Sequence, residues 1–395
     1  MIPRAPGDTL AALAKRRRRR ATPVAVLEKI NLGIAGACGR GQSFKLACDV
    51  VDAVRIHAVC DVNEEGLAAV ATSLGAAQQY TDYDEMLERS DLDAVIIGTP
   101  MPFHVPQSVA AIRRGVHVLS EVPAGVSLEE CCTLVEACKA SAALYMMAEN
   151  YTYMLPNALV KEIVRRGEFG TLYYAEGEYL HELKELNEVT KWRRRWQTGV
   201  AGLTYPTHSL GPILQWFAGD RVVKASCAGS GHHYRDPRGD CYENDDSTVM
   251  LCKLREGGLV KIRLDMLSNR PHAMTNYQLQ GTDGCYESSR GGPGDLNNVW
   301  LRSRCSDPNT WLNLDDLHDE FMPESWRRGM ELANKAGHGG GDFLEILDFV
   351  DAILGKRPCE IGIHEAMDMT LPGLISQQSI LQDSAWLDVP DSREW

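Results

Sequence analysis

Leu32-Gly33-Ile34-Ala35-Gly36-Ala37-Cys38-Gly39-Arg40-Gly41 is the stretch that decides the fold of this chain. A short apolar run, read as a strand, ends in a glycine-rich turn, and Ser43 to Val51 then reads as a helix. A pyrophosphate is held by backbone N–H groups at a helix N-terminus, and the backbone reaches it only where side chains are missing. Gly36-x-Cys38-x-x-Gly41 fits that fingerprint with Cys in place of the second glycine, and Gly39 next door relieves part of the crowding. A second strand, Arg55 to Cys60, ends at Asp61, 20 residues past Gly41. A carboxylate there accepts hydrogen bonds from a ribose diol and repels a 2′-phosphate, which favours NAD over NADP.

Outward from this unit, helices and strands alternate. Asn63 to Leu74 and Tyr83 to Arg89 read as helices, and Asp93 to Gly98 is a near-continuous apolar run of the kind a strand covered on both faces requires. Helix Val105 to Arg114, strand His117 to Ser120, helix Ser127 to Lys139 and strand Leu144 to Ala148 follow. The pattern predicts βαβ units in a doubly wound parallel sheet. Ligands bind at the carboxyl ends of such strands. This places Thr99, Pro100, His104, Glu121, Glu149 and Asn150 around the cofactor, beside Gly36, Cys38, Gly39, Arg40, Gly41 and Asp61. Taken alone, His104 reads more readily as a helix cap.

The chain has 395 residues, enough for two domains, with ordinary apolar (44%) and charged (24%) shares that exclude collagen-like and wholly disordered readings. No run approaches the roughly 18 apolar residues of a spanning helix, so no membrane role is expected. The net charge is −13, although Lys15 to Arg20 is a run of six positive charges. The acidic remainder would repel a phosphate backbone, which argues against nucleic acid. Residues 1–30 are expected to be a basic disordered tail, since no apolar stretch of signal-peptide length follows the arginines. Twelve scattered cysteines without a C-x-x-C pair point to free thiols in a reducing, cytoplasmic setting, and to no metal site.

The second half reads differently. Tyr151 to Arg166 has helical periodicity, and Leu172 to Tyr179 alternates like a strand. Val222–Ala228, Ser247–Leu254, Leu259–Met266 and Met274–Gln280 are strands joined by short turns, which argues for antiparallel pairing. Asp342 to Leu354 is read as the final helix. Lys191-Trp192-Arg193-Arg194-Arg195-Trp196 interleaves cations with aromatics and suits either a sugar-binding wall or a solvated edge with ion pairs. Gly337-His338-Gly339-Gly340-Gly341 allows a close backbone approach to a ligand or forms a hinge.

These motifs resemble the Gfo/Idh/MocA oxidoreductase family, on Gly36 to Gly41, Asp61, Thr99-Pro100 with His104, and Gly115 to Pro123. The resemblance implies a Rossmann domain over 31–150 and a substrate-binding domain over 151–395 whose large, mostly antiparallel sheet lines the site and mediates a dimer or tetramer. The chain departs from the family where Glu121-Val122-Pro123 replaces Glu-Lys-Pro, and where Thr204 stands at the carboxylate position of Asp-x-Gly-x-His. With Glu149-Asn150, Glu176 to Tyr179 with His181, Tyr205-Pro206-Thr207-His208 and Gly337-His338-Gly339-Gly340, those departures resemble the subgroup of glycoside hydrolase family 109. That likeness implies Tyr179, Tyr205 and His208 at the substrate site.

Hydride transfer from a carbinol carbon needs a base for the hydroxyl proton. Val122 cannot hold one, so His208 is the candidate, since imidazole titrates near neutrality. Tyr205, three residues earlier, would need a nearby cation to act as a base. Lys191, Trp192, Arg193 and His338 are candidate substrate contacts. The expected function is NAD-dependent oxidation of a sugar or glycoside. One alternative is glycoside cleavage by transient C3 oxidation, elimination, water addition and re-reduction, and another is a non-catalytic NAD-binding regulator.

Overall fold

The computed structural model describes residues 29–395 apart from 272 and 336. Most of the expected basic tail, residues 1–28, lies outside the described residues. The first half runs β1 (Ile30–Ala35), α1 (Lys45–Val50), β2 (Val54–Cys60), α2 (Glu64–Leu74), β3 (Gln78–Tyr80), α3 (Tyr83–Arg89), β4 (Ala94–Ile97), α4 (His104–Arg113), β5 (His117–Glu121), α5 (Leu128–Lys139) and β6 (Tyr145–Ala148). Asn63, Asp82 and Ser127 cap α2, α3 and α5 by accepting from the backbone N–H of the first turn. The six strands are parallel in the order β3-β2-β1-β4-β5-β6. Strand order reverses between β1 and β4, which opens a crevice at their carboxyl ends.

The second half runs α6 (Leu155–Arg165), β7 (Leu172–Leu180), α7 (Lys184–Val189), α8 (Trp192–Trp196), α9 (Thr207–Trp216), β8 (Val222–Gly229), β9 (Thr248–Leu254), β10 (Leu259–Asp265), β11 (Ala273–Gly281), β12 (Gly284–Glu287), β13 (Asn298–Leu301), β14 (Leu312–Asn313), α10 (His318–Phe321), α11 (Glu324–Ala333), α12 (Gly341–Ile353), α13 (Ile363–Leu381) and β15 (Leu387–Asp388). Its nine strands follow the order β14-β13-β12-β11-β7-β10-β9-β8-β15. All neighbours are antiparallel except β7 and β10. The chain leaves β7 through α7–α9 and returns by β8 and β9, so β10 enters alongside β7 in the same direction. The expected α/β architecture, a doubly wound parallel sheet followed by a mostly antiparallel one, is the one observed.

Two local readings need correction. The helix expected over 151–166 is a 3-10 turn, Asn150–Tyr153, followed by α6, because Pro156 has no N–H to continue the earlier turn and starts a new helix instead. Asp342–Leu354 is not the last helix, since the 19-residue α13 follows. That helix is buried over most of its circumference, Ala366 to Ile375 included, so it shows no one-sided apolar stripe. Phe343, Leu344, Ile346 and Phe349 of α12 cluster with Ile34, Leu119 and Met146 of the first sheet and with Phe44 of the turn after β1.

Candidate active site

The glycine turn is shaped by close backbone approach. Gly36 has φ +76°, and a Cβ there would lie 2.6 Å from the Gly98 carbonyl oxygen. A Cβ on Gly41 would lie 2.8 Å from Gly36 O, whereas one on Gly39 would meet nothing closer than 3.7 Å. Gly36 and Gly41 therefore pack the turn against the sheet, and Gly39 leaves an open side. Cys38 fits in place of glycine because its sulfur turns toward the start of α2, 3.9 Å from Asn63 O. Its amide donates to Asp61 Oδ2 at 2.8 Å, while Asp61 Oδ1 accepts from the Asn63 amide at 2.9 Å. The carboxylate at the end of β2 is thus fixed in orientation with lone pairs to spare for a diol. Asn150 Oδ1 is buried without a partner among the described residues, on an amide whose nitrogen is held by Asp342. An open glycine, an oriented carboxylate and an orphaned amide oxygen suit a dinucleotide.

Other candidates around the crevice hold protein to protein. His104 is buried, with Nδ1 2.8 Å from Pro123 O and Nε2 2.8 Å from Thr99 O. Burial lowers its pKa against those two carbonyls. His104 therefore ties the loops after β4 and β5 together. Thr99 Oγ1 donates to Gln107, and Pro100 precedes the 3-10 turn Met101–Phe103.

Arg40, from the same turn, directs its guanidinium at carboxylates. Its Nε lies 2.6 Å from Glu121, and its terminal nitrogens grip Asp342 at 2.8 and 2.9 Å. This clamps the first turn to the N-terminus of α12. Asp342 also accepts from Asn150 at 2.9 Å and pairs with His338 Nδ1 at 3.1 Å. Burial opposes its charge, yet hydrogen bonds from His338 and Arg40 prevail and hold its carboxyl well below the usual range.

Beside this clamp lies a cluster of rings. His208 stands in the first turn of α9, which rests on β7 at Gly177, where a Cβ would lie 2.5 Å from Ser209 O. Its ring centroid is 4.1 Å from Tyr151, 5.0 Å from Tyr205 and 5.5 Å from Tyr179. Nδ1 of His208 lies 2.8 Å from Glu149 Oε1. A carboxylate only accepts, so Nδ1 carries the proton and Nε2 keeps its lone pair. Glu149 is fully buried and also accepts from Thr152 and from the amide of Tyr151. Gly211, three residues after His208, makes room for it, since a Cβ there would fall 2.6 Å from Glu149 Oε2. Sequence reading placed Glu149 at the cofactor edge and missed its pairing with His208, which spans 59 residues.

Tyr179 and Tyr205 face each other at 5.7 Å, and the Tyr179 hydroxyl lies 2.8 Å from His181 Nδ1. The cation Tyr205 needs as a base is present, because Arg193 lowers the pKa of both phenols. Burial outweighs it and pushes both upward. The two tyrosines are therefore hydrogen-bond donors at neutral pH. Arg193 stacks over Trp192 at 4.5 Å, donates to Gln197, and keeps a buried Nε without a partner among the described residues. Lys191 instead borders an open depression of about 340 Å³ with Arg194, Arg195 and Arg238. The interleaved motif thus divides, with Arg193 felt at the tyrosines and Lys191 on another surface. His338 has φ +51° and lies 6.2 Å from Tyr151.

Residues 30–149 match the profile of the oxidoreductase family with an NAD-binding Rossmann fold, and residues 153–394 match that of the glycosyl hydrolase 109 C-terminal domain. A glycosyl hydrolase family 109 protein of Saccharopolyspora erythraea is 30% identical, over 92% of this chain and 83% of its own length. One from Shewanella pealeana is 29% identical, over 92% and 86%. Among solved structures, the WlbA dehydrogenase of Bordetella pertussis, in complex with NADH and UDP-GlcNAcA, superposes with TM-score 0.75 at 21% identity, covering 92% of this chain and 98% of that one. A levoglucosan dehydrogenase in complex with NADH gives 0.75 at 20% identity, covering 92% and 100%.

Proposed function

The chain belongs to glycosyl hydrolase family 109, on an NAD-binding oxidoreductase frame, and from that premise we propose that it cleaves a glycoside by a redox-assisted route. Sequence reading put net sugar oxidation first and cleavage second. Membership of that family supports taking cleavage first. The observation that carries the reading is the pairing of His208 with Glu149 beside a second proton-handling pair, Tyr179 and His181. Simple oxidation asks for one proton acceptor, whereas elimination and water addition ask for another.

Bound NAD supplies a hydride acceptor that can also return the hydride. The glycine turn and Asp61 would hold its phosphates and adenosine ribose, and the unpartnered Asn150 Oδ1 would accept a hydrogen bond from it. His208 Nε2 takes the proton of the sugar C3 hydroxyl, and Glu149 steadies the resulting imidazolium. The buried phenol of Tyr205 donates a hydrogen bond to the oxygen that becomes a carbonyl. That carbonyl acidifies the neighbouring C2–H, and the Tyr179–His181 pair serves the proton transfers of elimination at C1 and C2. Arg193 and Trp192 supply a hydrogen-bonding and stacking surface for the sugar. The substrate is a small sugar or glycoside, and twelve free thiols support a reducing, cytoplasmic setting. Self-association as a dimer or tetramer belongs to the same reading.

Incubating the purified protein with nitrophenyl glycosides and with free sugars, while following nitrophenol and NADH together, tests it. Nitrophenol release over many turnovers without NADH accumulation is the expected result. NADH formed in step with sugar oxidation, and no nitrophenol, returns the net dehydrogenase.

A further inference from the structure

The helix that delivers Asp342 to Arg40 carries a second acid one turn later, which the proposed chemistry does not use. Glu345 is fully buried, and neither of its carboxyl oxygens has a partner among the described residues. The titratable and charged groups facing it are Asp342 on its own helix, Glu121 at the end of β5, Arg40 from the first turn, Glu149 just after β6, and the Tyr153 phenol, whose hydroxyl donates to Asp348. Every donor in that set is committed. The Arg40 guanidinium spends its nitrogens on Glu121 and Asp342. Asn150 and His338 donate to Asp342, and His208 donates to Glu149.

A buried carboxylate without donors, among three others and a single guanidinium, is the arrangement electrostatics least tolerates. Such a group takes up a proton instead. Burial, with Asp342 next, moves the Glu345 carboxyl well above its ordinary range. Packing gives no reason for an acid here, since Phe343, Leu344, Ile346 and Phe349 on the same helix fill the core shared with the first sheet.

We propose that Glu345 is a positioning residue that works as a neutral carboxylic acid, holding one proton between the Arg40–Asp342–Glu121 clamp and the Glu149–His208 pair. While it is neutral, the Arg40 charge stays divided between Glu121 and Asp342. Once ionised, it becomes a further carboxylate competing for Arg40, and α12 loosens from the cofactor turn. The enzyme thereby loses its site on the alkaline side by release of a proton from a group that takes no part in the sugar chemistry.

Glu345→Gln keeps the shape and removes the proton, and Glu345→Met keeps the volume without polarity. Both are compared with the parent holoenzyme. A folded state that raises a carboxyl pKa loses stability as pH climbs through the ordinary glutamate value, until the buried group itself ionises. The melting temperatures of Gln variant and parent should therefore coincide at about pH 4 and separate by several degrees toward about pH 8, the variant being higher. His338, His208 and the other neighbours are common to both proteins and cancel in that difference. The parent should also show the infrared carbonyl band of a protonated carboxyl at neutral pH, lost in both variants. The alkaline limb of its kcat profile should move upward in the Gln variant while the acid limb stays in place.

Superimposed stability curves for parent and Gln variant, an equal loss of stability in both variants at every pH, or no protonated band would overturn the assignment. The stability and infrared readouts do not depend on the sugar reaction, so failure of the proposed cleavage leaves them readable.

Discussion

Nδ1 of His208 donates to Oε1 of Glu149 across 2.8 Å, and both groups are buried. The carboxylate fixes the tautomer and stabilises the imidazolium, so removing either partner should affect proton transfer more than binding. His208→Asn should lower kcat by roughly 10²–10⁴-fold while leaving NAD bound, as read by steady-state kinetics and co-purified nucleotide. Full turnover in that variant would remove His208 as the base.

Glu149→Gln substitutes a group that also donates, which permits the wrong imidazole tautomer. About 10²-fold or more should be lost from kcat, with little change in KM. Because Glu149 also accepts from the turn over 150–153, a thermal melt separates that effect from a folding defect.

The sequence made the first sheet legible because its strands are continuous apolar runs and its helices carry caps at Asn63, Asp82 and Ser127. It made less of the second half. Gly211-Pro212 sits inside α9, where two poor helix formers hide the helix, although the glycine is there to admit Glu149. Likewise His208, Tyr179 and Tyr205 were found through short motifs, while their common partners Glu149 and Arg193 come from other elements and meet them only in the fold. The guanidinium of Arg40 is a further case, since its partner Asp342 lies 302 positions away on α12 and no local pattern announces the pairing.

Asp61 is oriented by the amides of Cys38 and Asn63. Asp61→Ala should weaken NAD binding by roughly 10- to 100-fold, the worth of a charged hydrogen-bonding group, and narrow the preference over NADP. Isothermal titration of the stripped protein measures both.

Gly36→Ala places a Cβ 2.6 Å from Gly98 O at φ +76°. Strain of about 1–3 kcal/mol and displacement of the turn should follow, with loss of bound nucleotide and a lower melting temperature. Gly39→Ala, where the protein leaves space, should keep the melting temperature and lose nucleotide only.

The Asp342 carboxyl is held below its ordinary value by His338 and Arg40 against burial. A depressed folded-state pKa gives stability that is present above the unfolded value, about 3.9, and is lost only as pH falls through the folded one. Protonation of Asp342 should therefore leave the Arg40–Asp342 clamp intact through neutral pH and open it in acid. Asp342→Asn should destabilise by roughly 1.5–3 kcal/mol at pH 7 and lose that difference in acid, as measured by denaturant unfolding.

Cleaving a nitrophenyl glycoside in heavy water and locating deuterium in the released sugar by mass spectrometry and NMR tests the redox-assisted route most directly. Elimination removes the C2 proton, and water addition replaces it from solvent, so the product should carry deuterium at C2 with no NADH accumulated. Nitrophenol released together with a sugar free of carbon-bound deuterium would mean direct hydrolysis, and would contradict the route built on His208 and bound NAD.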